Sequence, residues 1–295
     1  MRLRLAPALS AVVLLLAVTA TACAEGADSS ASAGDGHEHE HSGGPFGHIH
    51  GLGIDPADGR LYVATHNGVH AVAEDGGSKR VSDGADYMGF TVKGPGTFLG
   101  SGHPAPGSDE PGNRGLIESK DAGKTWKTLS LGGEVDFHAL EYAHETVYGY
   151  DSTHGLLRVS EDGKAWDERA SIAAADIAVS PEDPGLVLAT TEEGIARSTD
   201  GGRNFARGTG PVLVFLSWAR PDGLYGMDLQ GGLHRSTDGG ATWRKTGTVP
   251  GGGPQALTAL TADRVLAATQ GGVHETRDGG KTFTERLEVT GAGGH

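Results

Sequence analysis

Short stretches rich in Val, Leu and Ala, such as Leu61–His66, Val187–Thr191 and Val265–Gln270, alternate along this chain with polar turns of Asp and Gly. Apolar runs this short, bounded by turn residues, read as buried β-strands. No stretch sustains the apolar period of an amphipathic helix. The pattern predicts an all-β protein of many short strands.

The turns between those strands repeat. Clear copies run from Ser119 to Trp126, Ser198 to Phe205 and Ser236 to Trp243; looser ones run from Ser160 to Trp166 and Thr276 to Phe283, with a worn remnant at Glu74-Asp75-Gly76-Gly77. Asp can accept bonds from the turn's own amides, and Gly supplies a left-handed backbone. The Trp or Phe that follows is an apolar plug for the seam between sheets. A fixed repeat of this kind implies stacked units, because one unit cannot bury its apolar face alone.

With Asp121, Asp162, Asp200, Asp238 and Asp278 at the turns, the sequence resembles the BNR/Asp-box repeat proteins, whose relatives include sialidases, sortilin-type receptor domains and photosystem assembly factors. The resemblance implies a six-bladed β-propeller of four-stranded antiparallel blades over residues 46–290. It says little about activity, since one fold hosts many functions.

Laying the repeats on one another puts Leu52, Phe90, Leu140, Ile177, Leu216 and Leu257 at one equivalent place. The spacing is about 40 residues, as four-stranded blades require, and the one longer gap holds a Gly/Pro-rich insertion, Pro104–Asn113. First strands then begin near His48, Asp86, Asp136, Ala173, Val212 and Gly253. Second strands end at His66, His103, Ser152, Thr191, Leu229 and Gln270. Both sets of ends fall on one face of the disc, and the Asp turns on the other. Two residues into the first strands stand His50, Met88, His138, Ala175, Val214 and Gln255, which share a sheet face with the strand starts by alternation.

Blades 1 to 3 therefore send His48, His50, His66, His103, His138, Asp86, Asp136 and Met88 toward one sector of the central funnel, while blades 4 to 6 send mostly small or apolar groups. Histidine is the commonest metal ligand. Imidazole with a thioether favours copper, with zinc the next choice. The expected site is a transition-metal centre with the five histidines as candidate ligands, Met88 as a soft axial donor, and Asp86 and Asp136 orienting imidazoles. The bland alternative is a polar, water-filled funnel mouth. His70, His234 and His274 share a third-strand place and read as structural. His144 belongs to the far face, and His154 to a loop near the funnel.

Kinship with sialidases implies a glycoside hydrolase, but no aligned funnel position is Arg. Arg158, Arg197 and Arg235 fall on third strands, Arg203 and Arg277 in Asp turns, Arg220 in another turn, and Tyr87 has the opposite parity to Asp86. A different glycosidase could use Asp86 and Asp136 as its carboxylate pair. A non-catalytic assembly scaffold is a third reading, so whether the protein is an enzyme stays open on sequence alone.

The net charge of −14 argues against nucleic-acid partners. Arg2 and Arg4 precede an apolar run from Ala11 to Val18 and the small residues before Cys23, which reads as a signal peptide over residues 1–22. The segment resembles a bacterial lipobox, implying cleavage before Cys23 and lipid attachment to it. Residues 23–45, with His37-Glu38-His39-Glu40-His41, read as a flexible tether, and 291–295 as a disordered tail. Cys23 is the only cysteine, so no intrachain disulfide forms. The expectation is a monomer with no nucleotide cofactor, anchored by lipid to the outer face of the bacterial cytoplasmic membrane, with a possible periplasmic or cell-surface protein partner.

Overall fold

The computed structural model describes residues 46–289. The signal peptide, Cys23, the tether and the tail lie outside the described residues. Within them the chain forms 23 strands and no helix, grouped as six antiparallel sheets. Blade 1 holds β1 (Ile49–Ile54), β2 (Leu61–Thr65), β3 (Gly68–Val72) and β4 (Ser78–Arg80). Blade 2 holds β5 (Asp86–Gly94), β6 (Thr97–His103), β7 (Leu116–Ser119) and β8 (Lys127–Ser130). Blade 3 holds β9 (Phe137–Ala143), β10 (Thr146–Asp151), β11 (Leu156–Ser160) and β12 (Asp167–Ser171). Blade 4 is β13 (Ile177–Val179), β14 (Val187–Thr191) and β15 (Gly194–Ser198). Blade 5 runs β16 (Phe215–Trp218), β17 (Leu224–Met227), β18 (Gly232–Ser236) and β19 (Arg244–Thr248). Blade 6 runs β20 (Pro254–Ala259), β21 (Val265–Thr269), β22 (Gly272–Thr276) and β23 (Thr284–Glu288).

Blade 4 departs from the four-stranded expectation. Its outer edge pairs irregularly, through an isolated bridge between Ile195 and Thr209 and a bond from Ala206 N to the Arg197 carbonyl (2.9 Å). Gly208, Gly210 and Pro211 surround Thr209, and such residues weaken a ladder or withhold its donors.

Each first strand lies beside those of its two neighbours, and β20 lies beside β1, so the ring closes. No strand is exchanged at the closure: blades 1 and 6 are each continuous in sequence. One apolar cluster holds this seam, joining Phe46, Ile49, Leu52 and Val63 to Ala256, Leu266, Val273 and Leu287. Two side-chain bonds cross it: Thr258 Oγ1 donates to the Leu52 carbonyl (2.8 Å) and Ile49 N to Gln255 Oε1 (3.2 Å). Inner strands approach so closely that a Cβ on Gly89 would lie 2.4 Å from the Phe137 carbonyl oxygen.

The Asp turns join third to fourth strands, away from the funnel mouth. In the first clear copy, Ser119 Oγ donates to Asp121 Oδ1 (2.9 Å) and accepts from Gly123 N (2.9 Å), while Thr125 N donates to Asp121 Oδ1 (2.9 Å). Ser198/Asp200, Ser236/Asp238 and Thr276/Asp278 repeat these bonds. Asp162 keeps part of the pattern, accepting from Ser160 Oγ and two turn amides. The turns therefore act as scaffold.

One irregularity recurs where the site lies. In β1, Ile49 faces Thr65 and Gly51 faces Ala64, which leaves His50 as an extra, unpaired residue. The same β-bulge falls on Met88 in β5, His138 in β9 and Gln255 in β20. A bulge breaks strict alternation and re-aims the side chain it carries. The parity argument from the sequence thus gives way to a stronger device, a bulge at one place in four blades.

Candidate metal centre

The structure brings the blade 1 and blade 2 residues together as the repeat alignment expected. His50 sits on the β1 bulge, His66 just past the end of β2, and Asp86 at the start of β5 in the next blade. His66 N donates to the His48 carbonyl (3.1 Å), which fixes the second-strand end against the first-strand start. His50 Nε2 lies 3.3 Å from His66 Nδ1, His66 Nδ1 lies 2.9 Å from Asp86 Oδ2, and His50 Nε2 lies 3.6 Å from Asp86 Oδ1. Among the described residues these three form a group whose donor atoms all lie within 4.8 Å of one another. Four ligands about 2.0–2.2 Å from an ion stand roughly 3.3–3.6 Å apart at tetrahedral angles. The two imidazole nitrogens, 3.3 Å apart, match one edge of such a shell, and Asp86 offers Oδ2 beside His66 and Oδ1 beside His50.

The His48 ring packs on both imidazoles, with centroids 4.8 Å from His50 and 5.9 Å from His66. His103, at the end of β6, places Nδ1 3.6 Å from Asp86 Oδ2 and Nε2 3.6 Å from Asp136 Oδ2. Asp136, just ahead of β9, accepts from His138 Nε2 at 2.7 Å. All of these candidates thus fall in one continuous cluster. Met88, the soft axial donor expected from sequence, sits on the β5 bulge, the place in blade 2 that His50 holds in blade 1.

Burial holds the His50 imidazole well below its usual pKa; the Asp86 charge opposes this, and His48, His66 and His138 reinforce it. His50 is therefore neutral, the form in which imidazole binds metal. Burial alone would raise the Asp86 carboxyl, but the close imidazoles of His103, His66 and His50, with His66 at hydrogen-bond distance, outweigh it and hold the group well below the carboxylate range. Asp86 is thus ionised. The nearby Asp86 carboxylate raises the His103 pKa, against the pull of burial. Asp86 Oδ1 and Asp136 Oδ1 are buried and accept no hydrogen bond. Buried carboxylate oxygens without donors are costly, and a cation would relieve both.

The remaining histidines fall where the sequence put them. His70 is buried against Phe46, with ring centroids 4.8 Å apart. His234 bonds Asp228 (2.8 Å), and His144 bonds the Ser180 carbonyl (2.8 Å). His154 pairs with the buried Asp151 at 2.8 Å, which Arg158 also binds.

Two residues escaped the sequence reading. Glu141 on β9 and Asp176 just ahead of β13 line a central cavity of about 610 Å³. Burial and then the charge of Asp176 push the Glu141 carboxyl up to about 8. Burial pushes Asp176 up to about 7, although amides of Leu216 and Ile177 oppose it. Each is the only charged residue at its place in the aligned first strands, and that was the available signal. Asp176 Oδ2 accepts from Leu216 N (2.8 Å), so it braces blade 4 to blade 5.

No family model and no curated protein matches this sequence. Solved structures do share the fold. The GH74 xyloglucanase from Xanthomonas campestris matches with a TM-score of 0.53 and 17% identity, over 82% of this chain and 45% of that one. Virginiamycin B lyase from Staphylococcus aureus matches at 0.54 and 13%, over 81% and 84%. A chain of the nidogen/laminin complex matches at 0.61 and 12%, over 78% and 93%. This chain spans less than half of the xyloglucanase. At these identities the likeness shows the β-propeller and nothing finer.

Proposed function

We propose that the funnel mouth binds a divalent transition-metal ion through His50, His66 and Asp86. The observation that carries this reading is the close grouping of His50 Nε2, His66 Nδ1 and the two Asp86 oxygens, with contacts of 3.3 Å between the imidazoles, 2.9 Å from His66 to Oδ2 and 3.6 Å from His50 to Oδ1. Two imidazoles and one carboxylate suit borderline ions such as copper(II), zinc or iron(II), not calcium, which takes oxygen ligands. Copper(II) stands highest in the affinity order. The remaining coordination positions open toward the funnel, where a substrate or a small oxyanion has room to bind. To test this, the full chain is loaded with copper(II) or zinc, desalted, and its metal measured by mass spectrometry. The expected result is at least one ion per chain, lost in His50→Ala and in His66→Ala. Retention of metal in both variants would overturn the proposal.

The five bonded Asp turns support membership of the BNR/Asp-box group, and the Ala20–Cys23 segment supports display outside the cell on a lipid attached to Cys23. Release of Cys23→Ser protein into the medium would check that anchor.

A glycosidase reading draws on the GH74 likeness and on Asp86 and Asp136 as a carboxylate pair. A general acid at that pair needs a raised pKa, whereas the imidazoles hold Asp86 in the opposite direction. Hydrolysis of aryl glycosides that disappears in Asp136→Asn would favour the glycosidase over the metal centre.

A further inference from the structure

The triad has a counterpart one blade on. Its three places are a first-strand bulge, the end of the second strand in the same blade, and the start of the first strand in the next blade. In blades 1 and 2 these are His50, His66 and Asp86. Advancing each place by one blade gives Met88 on the β5 bulge, His103 at the end of β6, and Asp136 just ahead of β9. One further step gives His138, Ser152 and Ala173, so the series ends there, with His138 turned back onto Asp136 at 2.7 Å.

We infer that the mouth holds a second metal centre at Met88, His103 and Asp136, with His138 as a fourth donor. The inference rests on the first-centre reading and extends it. Three observations carry it. The Asp136 side chain is only 8% exposed, and its Oδ1 is buried with no hydrogen-bond partner. The two rings that meet Asp136 Oδ2 are 43% and 40% exposed at their side chains, so they are free to turn onto an ion. His103 faces both carboxylates at 3.6 Å, one with each ring nitrogen, which makes it a shared wall between the two centres.

The donor sets differ, and so does the metal each selects. The first centre has two imidazoles and a carboxylate. The second adds a thioether, and soft sulfur donors select copper(I). One face thus offers a borderline centre beside a soft one, matching a protein that holds copper in either oxidation state.

The test uses the full chain with His37, His39 and His41 replaced by Ala, so that those imidazoles hold no ion. It is titrated anaerobically with copper(I) against a chromogenic chelator, and separately with zinc. The expected result is two copper(I) ions per chain. Asp136→Asn should lose one, Asp86→Asn should lose the other, and Met88→Leu should weaken the second copper(I) at least tenfold while leaving zinc at the first centre unchanged. A single copper, lost in Asp86→Asn and indifferent to Met88→Leu, overturns the second centre and leaves the first standing. Two coppers that ignore both Asp136→Asn and Met88→Leu overturn the placement. No copper(I) and no zinc bound in any form overturns both centres.

Discussion

His66 reaches over a blade boundary, placing its Nδ1 2.9 Å from Oδ2 of Asp86, the residue that opens the inner strand of blade 2. An ion bound by this pair and His50 would fasten two blades that otherwise meet through side-chain packing and a bond from Gly96 N to Asp55 Oδ1 (2.9 Å). A ligand at about 100 times its Kd stabilises the native state by about 2.7 kcal/mol. For a domain of this size that corresponds to a rise in Tm of about 5–11 °C. Copper(II) or zinc should produce that rise, a chelator should reverse it, and Asp86→Asn should abolish it. Thermal unfolding with and without metal is the measurement. An equal rise in Asp86→Asn would place the ion elsewhere.

Gly89 marks where the inner strands are closest. A methyl group there would meet the Phe137 carbonyl oxygen at 2.4 Å, whereas at Gly94 on the same strand it would meet nothing within 4 Å. Overpacking costs about 1–3 kcal/mol. Gly89→Ala should lower Tm by about 2–12 °C, and Gly94→Ala should leave it nearly unchanged. Equal Tm values for the two would contradict the close approach.

Ala122 occupies a place that repeat partners give to Gly. Its φ is 58°, beside 74°, 69° and 73° at Gly201, Gly239 and Gly279. Left-handed backbone costs a residue with a Cβ about 1–2 kcal/mol, and the added freedom of Gly in the unfolded chain offsets about 0.4–1 kcal/mol. Ala122→Gly should therefore raise stability by about 0.5–1 kcal/mol. A fall in the denaturation midpoint would count against this.

Glu141 gives the ring a pH dependence. Its carboxyl is pushed up to about 8 by burial and then by Asp176, against about 4.3 in an unfolded chain. The folded state therefore holds a proton that the unfolded state releases. The associated stability is complete below the unfolded value and is lost as pH rises through the folded one. Glu141→Gln should remove that loss, leaving the variant about 10–20 °C ahead of the wild type at pH 9 relative to their difference at pH 4. Melting curves that shift in parallel with pH would refute the assignment.

The architecture was legible because its punctuation is local. An Asp that accepts from its own turn's amides needs only a few residues, so Asp121, Asp200 and Asp238 announce the blade period by themselves. The gathering of His50, His66 and Asp86 followed from that period. The bulges did not, because an extra residue in a ladder depends on the partner strand's pairing; at Met88 and His138 alternation alone gave only a sidedness. The missing fourth strand of blade 4 was hidden for a similar reason. The turn from Ser198 to Phe205 is intact, and the failure comes later, at Gly208, Gly210 and Pro211. Glu141 and Asp176 were not legible in the same way, because each lies along the bore as a single charge with no counterpart in the other blades.

Four inner strands carry their extra residue at one level, which has a consequence for how such a protein changes over time. Backbone geometry has already aimed those positions, independently of what each one bears. A substitution at Met88 or His138 therefore rewrites the chemistry of the rim while leaving the apolar interior untouched. The rim works as a set of exchangeable fittings on a fixed mount, and new specificities can arise there one residue at a time.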